Sequence, residues 1–85
     1  MSKWFVYIIR ASDNSLYTGV TTDVERRFLE HGSNRGAKYF SGRSPQTVEY
    51  CEKFSDRGGA QKREAEIKKL DRREKLALIA AKKLL

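Results

Sequence analysis

Trp4-Phe5-Val6-Tyr7-Ile8-Ile9 and, after a polar gap, Leu16-Tyr17-Thr18-Gly19-Val20 are the stretches around which the chain must be built. The first is continuously apolar, β-branched and aromatic, the pattern of a strand covered on both faces. Ser12-Asp13-Asn14-Ser15 between them carries turn chemistry. Residues 4–20 therefore read as a β-hairpin. Downstream, Thr22-Asp23-Val24-Glu25 is a capping box, a hydroxyl N-cap with Glu three residues on. It predicts a helix from about Asp23 to His31, which Gly32 can end. Ser33 to Pro45 reads as a long loop, punctuated by Gly36, Gly42 and Pro45.

Thr47 to Phe54 carries Val48, Tyr50 and Phe54 at even spacing, the mark of a half-buried strand. Ser55 or Asp56 can cap a second helix through Lys69, with Ile67 and Leu70 toward the core. Asp71-Arg72-Arg73-Glu74 repeats the capping-box pattern and starts a third helix, with Leu76, Ile79 and Ala80 on one face. The order β-β-α-β-α-α predicts an α+β fold with a small three-stranded sheet flanked by helices. At 85 residues the chain has room for one domain, 1–85, and a thin core.

Composition narrows the partners. Hydrophobic residues are 39% and charged residues 34%, a globular balance. No apolar run is long enough to span a membrane, and Trp4 to Ile9 is too short for a signal-peptide core. Cys51 stands alone, so no intrachain disulfide and no cysteine zinc cage can form. A reduced, cytoplasmic setting and a monomer are the expectations. Eighteen Lys and Arg against eleven Asp and Glu give a net charge of +7, a field suited to a polyanion. The bland alternative is a basic protein without such a partner.

Four groups of residues have chemistry to offer, each beside a plainer role. Tyr7 and Tyr17 lie one on each hairpin strand. They are core aromatics, or two phenols in one cleft whose pKa a nearby cation would lower. Gly19 permits close approach of a substrate backbone, or marks a bulge. Arg27 and His31 are spaced i, i+4 and share a helix face flanking Val24 and Phe28. A guanidinium can fork onto a phosphate, and an imidazole can shuttle a proton. The plainer roles pair Arg26 with Glu30 and set His31 against the helix dipole. Glu64, beside Ala60 and Ile67, offers one shielded carboxylate of the kind that holds Mg²⁺ with waters and phosphate, or simply pairs with Lys68. From His31 to Val48 there is no acidic residue, and Arg35, Lys38 and Arg43 alternate with Tyr39 and Phe40, a pattern suited to single-stranded or distorted nucleic acid.

Taken together, Phe5-Val6-Tyr7, Tyr17-Thr18-Gly19 ten residues on, and Thr21-Thr22-Asp23-Val24-Glu25-Arg26-Arg27-Phe28-Leu29-Glu30-His31 resemble the GIY-YIG nuclease superfamily. The resemblance runs from Trp4 to about Ile79 and is strongest to its small, stand-alone bacterial members of uncharacterised function. It implies a divalent-metal-dependent endonuclease acting on DNA rather than RNA. The implied site is Tyr7, Tyr17, Arg27, His31 and Glu64, with one Mg²⁺ or Mn²⁺ on Glu64. Arg26, Arg35, Lys38, Tyr39 and Arg43 would then bind nucleic acid. Arg27 would stabilise phosphate charge, a tyrosine would deprotonate or position the attacking water, and His31 would relay a proton. Two positions depart from the family pattern. Phe5 replaces the first-motif glycine, and Leu76 stands where many members carry a site asparagine. Two alternatives therefore accompany the enzyme: a weak or inactive nucleic-acid-binding module, and a partner-recruiting domain using apolar residues of Ala77 to Leu85.

Overall fold

The computed structural model describes residues 3–83. β1 (Trp4–Ala11) and β2 (Leu16–Thr21) form the hairpin, followed by α1 (Val24–Gly32), a 3₁₀ turn at Lys38–Phe40, β3 (Pro45–Phe54), α2 (Arg57–Lys68) and α3 (Arg72–Lys83). The α+β order is the expected one. The strands form one antiparallel sheet in the order β2-β1-β3. β1 is thus the central strand, and its continuous apolar run follows from that place. Val6 and Ile8 face Tyr50, Ala60, Ile67 and Ile79 on the α2–α3 side. Tyr7, Ile9 and Ala11 face Phe40, with Tyr17, Val24, Phe28 and Tyr39 packed against them. Every β1 residue from Val6 to Ile9 is buried, so each face has its own small core.

The hairpin turn is set by Asn14 in the left-handed region, at φ 69°, and by Asp13 Oδ1 accepting the Ser15 N–H at 3.1 Å. The N-cap of α1 is Asp23, whose carboxylate accepts the Arg26 N–H at 3.0 Å, rather than Thr22. Thr21 Oγ1 accepts the Asp23 N–H at 3.1 Å, so the hydroxyl that helps this entry lies two residues upstream of the cap. Asp56 is the cap of α2 and accepts the Gly59 N–H at 2.7 Å. At α3 the capping box is complete: Asp71 accepts from the Glu74 N–H at 2.8 Å and Glu74 accepts from the Asp71 N–H at 2.9 Å.

Two expected faces are corrected. Val48 is 42% exposed although it shares even spacing with buried Tyr50. Ile8 pairs with Tyr50 but Ile9 pairs with Val48, so Glu49 is an extra residue bulged out of the ladder. The bulge inverts the alternation and puts Val48 on the α1 side. In α3, Leu76 is 45% exposed and Ala80 is exposed, whereas Ile79 is 5% exposed with Leu78 packed beside it. The inward face is carried by Leu78 and Ile79, with half-buried Lys75 and exposed Lys82 at its margins, one step away from the expected face. Lys82 Nζ lies over the Tyr50 ring, 5.5 Å from its centroid. The apolar C-terminal pair Leu84-Leu85, which the recruitment reading invoked, lies outside the described residues.

This face assignment can be tested by urea unfolding. Ile79→Ala should cost about 2–4 kcal/mol through the cavity it opens. Leu76→Ala should cost less than about 1 kcal/mol, although the two residues carry side chains of equal size.

Candidate active site

The register Tyr7↔Gly19 and Ile9↔Tyr17 sets both phenols on the α1 face of the hairpin, their ring centroids 6.3 Å apart. The pairing is regular from Phe5 to Arg10, so Gly19 marks no bulge. A Cβ at Gly19 would lie 2.5 Å from Tyr7 Oη and 2.7 Å from its Cζ. Glycine is needed there because the Tyr7 ring crosses the strand, filling the space that a substrate backbone was expected to use.

His31 ends α1 and is 1% exposed. It is no solvated helix cap. Its Nε2 lies 2.9 Å from Tyr7 Oη, and its Nδ1 accepts the Ala37 N–H at 3.2 Å. Phe40 and Tyr17 close around the ring with centroids 4.5 and 5.4 Å away. The segment after α1 makes this possible by turning back on the helix through Gly36, where a Cβ would lie 2.1 Å from Nδ1.

Arg27, one turn before His31, is half-buried and pairs with Glu30 at 3.1 Å. The partner assigned to Arg26 thus belongs to Arg27, and Arg26 is exposed. Burial pushes the Tyr7 phenol up to about 12, Tyr17 adds to the rise, Arg27 only partly offsets it and Glu64 contributes a little more. The sequence suggested that a cation would lower this phenol, but loss of solvent outweighs the guanidinium. Burial also pushes His31 down to about 4, with the Arg27 charge acting in the same direction and Glu30 against it. At neutral pH the pair is a neutral phenol against a neutral imidazole.

Glu64 is 21% exposed and its Oε2 is paired with Lys68 Nζ at 3.0 Å, as the plainer reading of that residue had it. Its charge is nonetheless felt at Tyr7. Among the described residues no three His, Cys, Asp or Glu side chains group together as a metal cage. Thr18, in the middle of the second motif, has a buried hydroxyl without a partner among the described residues. Alternation sets it on the α2 side of the sheet, opposite Tyr17 and Gly19.

The loop residues divide. Arg35 and Lys38 are exposed. Tyr39 donates to Ser15 Oγ, and Arg43 lies over the Tyr39 ring at 4.2 Å while pairing with Asp13 at 3.0 Å. These two tie the loop to the hairpin turn. Phe40, expected among the loop aromatics that would meet nucleic acid, is core instead. Gly36 was read only as loop punctuation, Glu30 only as a partner for Arg26, and Ala37 was not singled out. An apolar residue between charged ones hinted at Phe40; nothing local pointed to Ala37, whose role is played by its backbone. A groove of about 660 Å³ lies between α1 and β3 and is lined by Val24, Phe28, Leu29 and Val48 among others, none of them in this cluster.

Comparison with known proteins agrees with this fold. Residues 3–77 match the model of the GIY-YIG catalytic domain. The chain is 45% identical over 80 residues to the UPF0213 protein YhbQ of Escherichia coli strain SE11, a match covering 94% of this chain and 80% of that protein. The YhbQ protein of Shigella boydii serotype 18 matches equally. The solution NMR structure of the UPF0213 protein BH0048 from Bacillus halodurans is 42% identical, with a TM-score of 0.62, covering 94% of this chain and 85% of that one.

The low proton affinity of folded His31 has a consequence for stability. Between the unfolded value near 6.5 and the folded value about 4, the unfolded chain binds a proton that the folded chain refuses. Stability is therefore complete above about pH 6.5 and falls as pH drops toward 4, by roughly 2–3 kcal/mol for this one group. Urea unfolding of wild type and His31→Gln at stepped pH should show a shallower decline in the variant.

Proposed function

The chain belongs to the GIY-YIG family, and from that membership we propose that it is a divalent-metal-dependent phosphodiesterase that cuts DNA. The observation that carries the reading is one cluster: Tyr7, Tyr17, Arg27 and His31, brought together from β1, β2 and α1, with the Glu64 carboxylate within electrostatic reach. Two phenols, a guanidinium and a carboxylate are the groups that in-line attack on a phosphodiester calls for.

Glu64 suits a hard cation. It is a half-buried oxygen donor with one exposed pairing cation, able to supply one ligand where water and phosphate supply the rest. Mg²⁺ or Mn²⁺ on Glu64 would supply charge stabilisation at the phosphate and leaving oxygens. Lys68, 54% exposed, has room to leave the carboxylate. Arg27 is held charged and oriented by Glu30 and offers its remaining N–H groups to phosphate oxygens. Tyr7 keeps its proton at neutral pH and acts as a hydrogen-bond donor in the cleft. Tyr17 is half-buried, and its hydroxyl has no hydrogen-bond partner among the described residues, which suits it to hold or deprotonate the attacking water. Exposed Arg26, Arg35 and Lys38 extend a positive surface beside the site.

A second reading, a nucleic-acid-binding module with little turnover, has its own support. Lys68 already neutralises Glu64, and an apolar, 45% exposed Leu76 stands at the position of the family's asparagine. Glu64→Gln separates the two. For the enzyme, cleavage of labelled single-stranded, duplex and branched DNA with Mg²⁺ or Mn²⁺ should vanish while binding persists or tightens. For the module, neither cleavage nor binding should change.

Arg27→Ala should reduce turnover by about 10²–10³-fold with little loss of binding, whereas Arg26→Ala should weaken binding slightly and spare turnover. Equal effects of the two substitutions in both assays would remove Arg27 from the site. Binding should also weaken linearly on a log–log salt plot, by about 0.7–0.9 per phosphate contacted.

A further inference from the structure

We propose that Gly36 and Ala37 are positioning residues: their backbone fixes His31 as the Nε2–H tautomer and makes it a standing hydrogen-bond donor to Tyr7. The catalytic consequence rests on the nuclease reading above, while the structural half rests on two hydrogen bonds. A backbone N–H can only donate. The Ala37 N–H meets Nδ1 at 3.2 Å, so Nδ1 presents a lone pair. A neutral imidazole carries one N–H, which must then be on Nε2, 2.9 Å from Tyr7 Oη. The phenol oxygen accepts that hydrogen, and its own O–H is turned away from His31. A flip of the ring would set carbon against both partners and lose both bonds. Phe40 and Tyr17 box the ring in place.

Gly36 is what allows the amide to arrive. Any side chain there would start 2.1 Å from Nδ1 and 2.8 Å from His31 Cα. With Nε2 already protonated, His31 cannot take a proton from Tyr7, so the relay role implied by the family resemblance gives way to a donor role. By donating to the Tyr7 oxygen, His31 turns the phenol's own O–H toward the cleft, where Tyr7 serves as an oriented hydrogen-bond donor. No proton passes through the imidazole.

The chain has a single histidine, so its tautomer can be read directly. Long-range ¹H–¹⁵N correlation of the full ¹⁵N-labelled chain at pH 7, without nucleic acid, should show Nε2 protonated and Nδ1 unprotonated. The Nδ1–H form, or an averaged pattern, would overturn the proposal. Gly36→Ala should produce such averaging and reduce cleavage of DNA by about 10²-fold at unchanged DNA affinity. Gly32→Ala, whose Cβ would meet Pro45 Cγ at an ordinary 3.6 Å, should keep the wild-type pattern and rate. His31→Gln retains an N–H donor and should stay within about tenfold of wild-type cleavage, whereas His31→Leu should lose about 10²-fold or more. If Gln is as impaired as Leu, the donor role fails. The expected tautomer in a wild-type chain that cleaves none of the DNA substrates would sink the nuclease reading and leave the tautomer assignment standing.

Discussion

β1 is hydrogen-bonded along both edges and covered on both faces, and everything else in this small fold answers to that constraint. A strand so enclosed offers no polar side to water from Val6 to Ile9. It therefore requires α2 and α3 on one face, and α1 with the following loop on the other. The loop is recruited because α1 alone is short, nine residues, and leaves the far end of the face open. Phe40 fills that end, and Arg43 and Tyr39 hold the loop to the hairpin turn.

The same enclosure shapes the chemistry. Tyr7 is the polar residue of the buried run, and its hydroxyl must find a partner where water is scarce. His31 supplies it, itself buried and satisfied on its other nitrogen by a backbone amide. Desolvation pushes the phenol up and the imidazole down, so the two stay neutral although Arg27 is beside them. Charge is kept at the margin of the cluster, on Arg27–Glu30 and Glu64–Lys68, where both members of each pair remain partly in contact with solvent. Such exposed pairs are weak, worth about 0–1 kcal/mol.

Much of this was written in the chain itself. The element order, the hairpin, the capping box at Asp71 and Glu74, and the identity of Tyr7, Tyr17, Arg27, His31 and Glu64 as candidates could be read from local pattern and family likeness. These features depend on nearest neighbours or on side-chain type, and both are explicit in a sequence. The sequence left Tyr7 and Tyr17 as core aromatics or as two phenols in one cleft, and the observed hairpin register sets them on one face.

What only the tertiary structure decided is the company each residue keeps. The bulge at Glu49 moved Val48 to the other face, a consequence of how β3 is paired rather than of its own alternation. The inward face of α3 was set one residue over, where Ile79 joins Ala60 and Ile67 of α2 against Val6, Ile8 and Tyr50. Gly19 was legible as a glycine but not as the floor beneath the Tyr7 ring, and Gly36 not as the gap through which an amide reaches His31. The sign of the Tyr7 shift went against expectation because loss of solvent at its hydroxyl outweighs the Arg27 charge, a balance set only once both are packed in place. Spacing along a helix or strand is a one-dimensional property; desolvation and backbone approach arise when distant segments close on the same point.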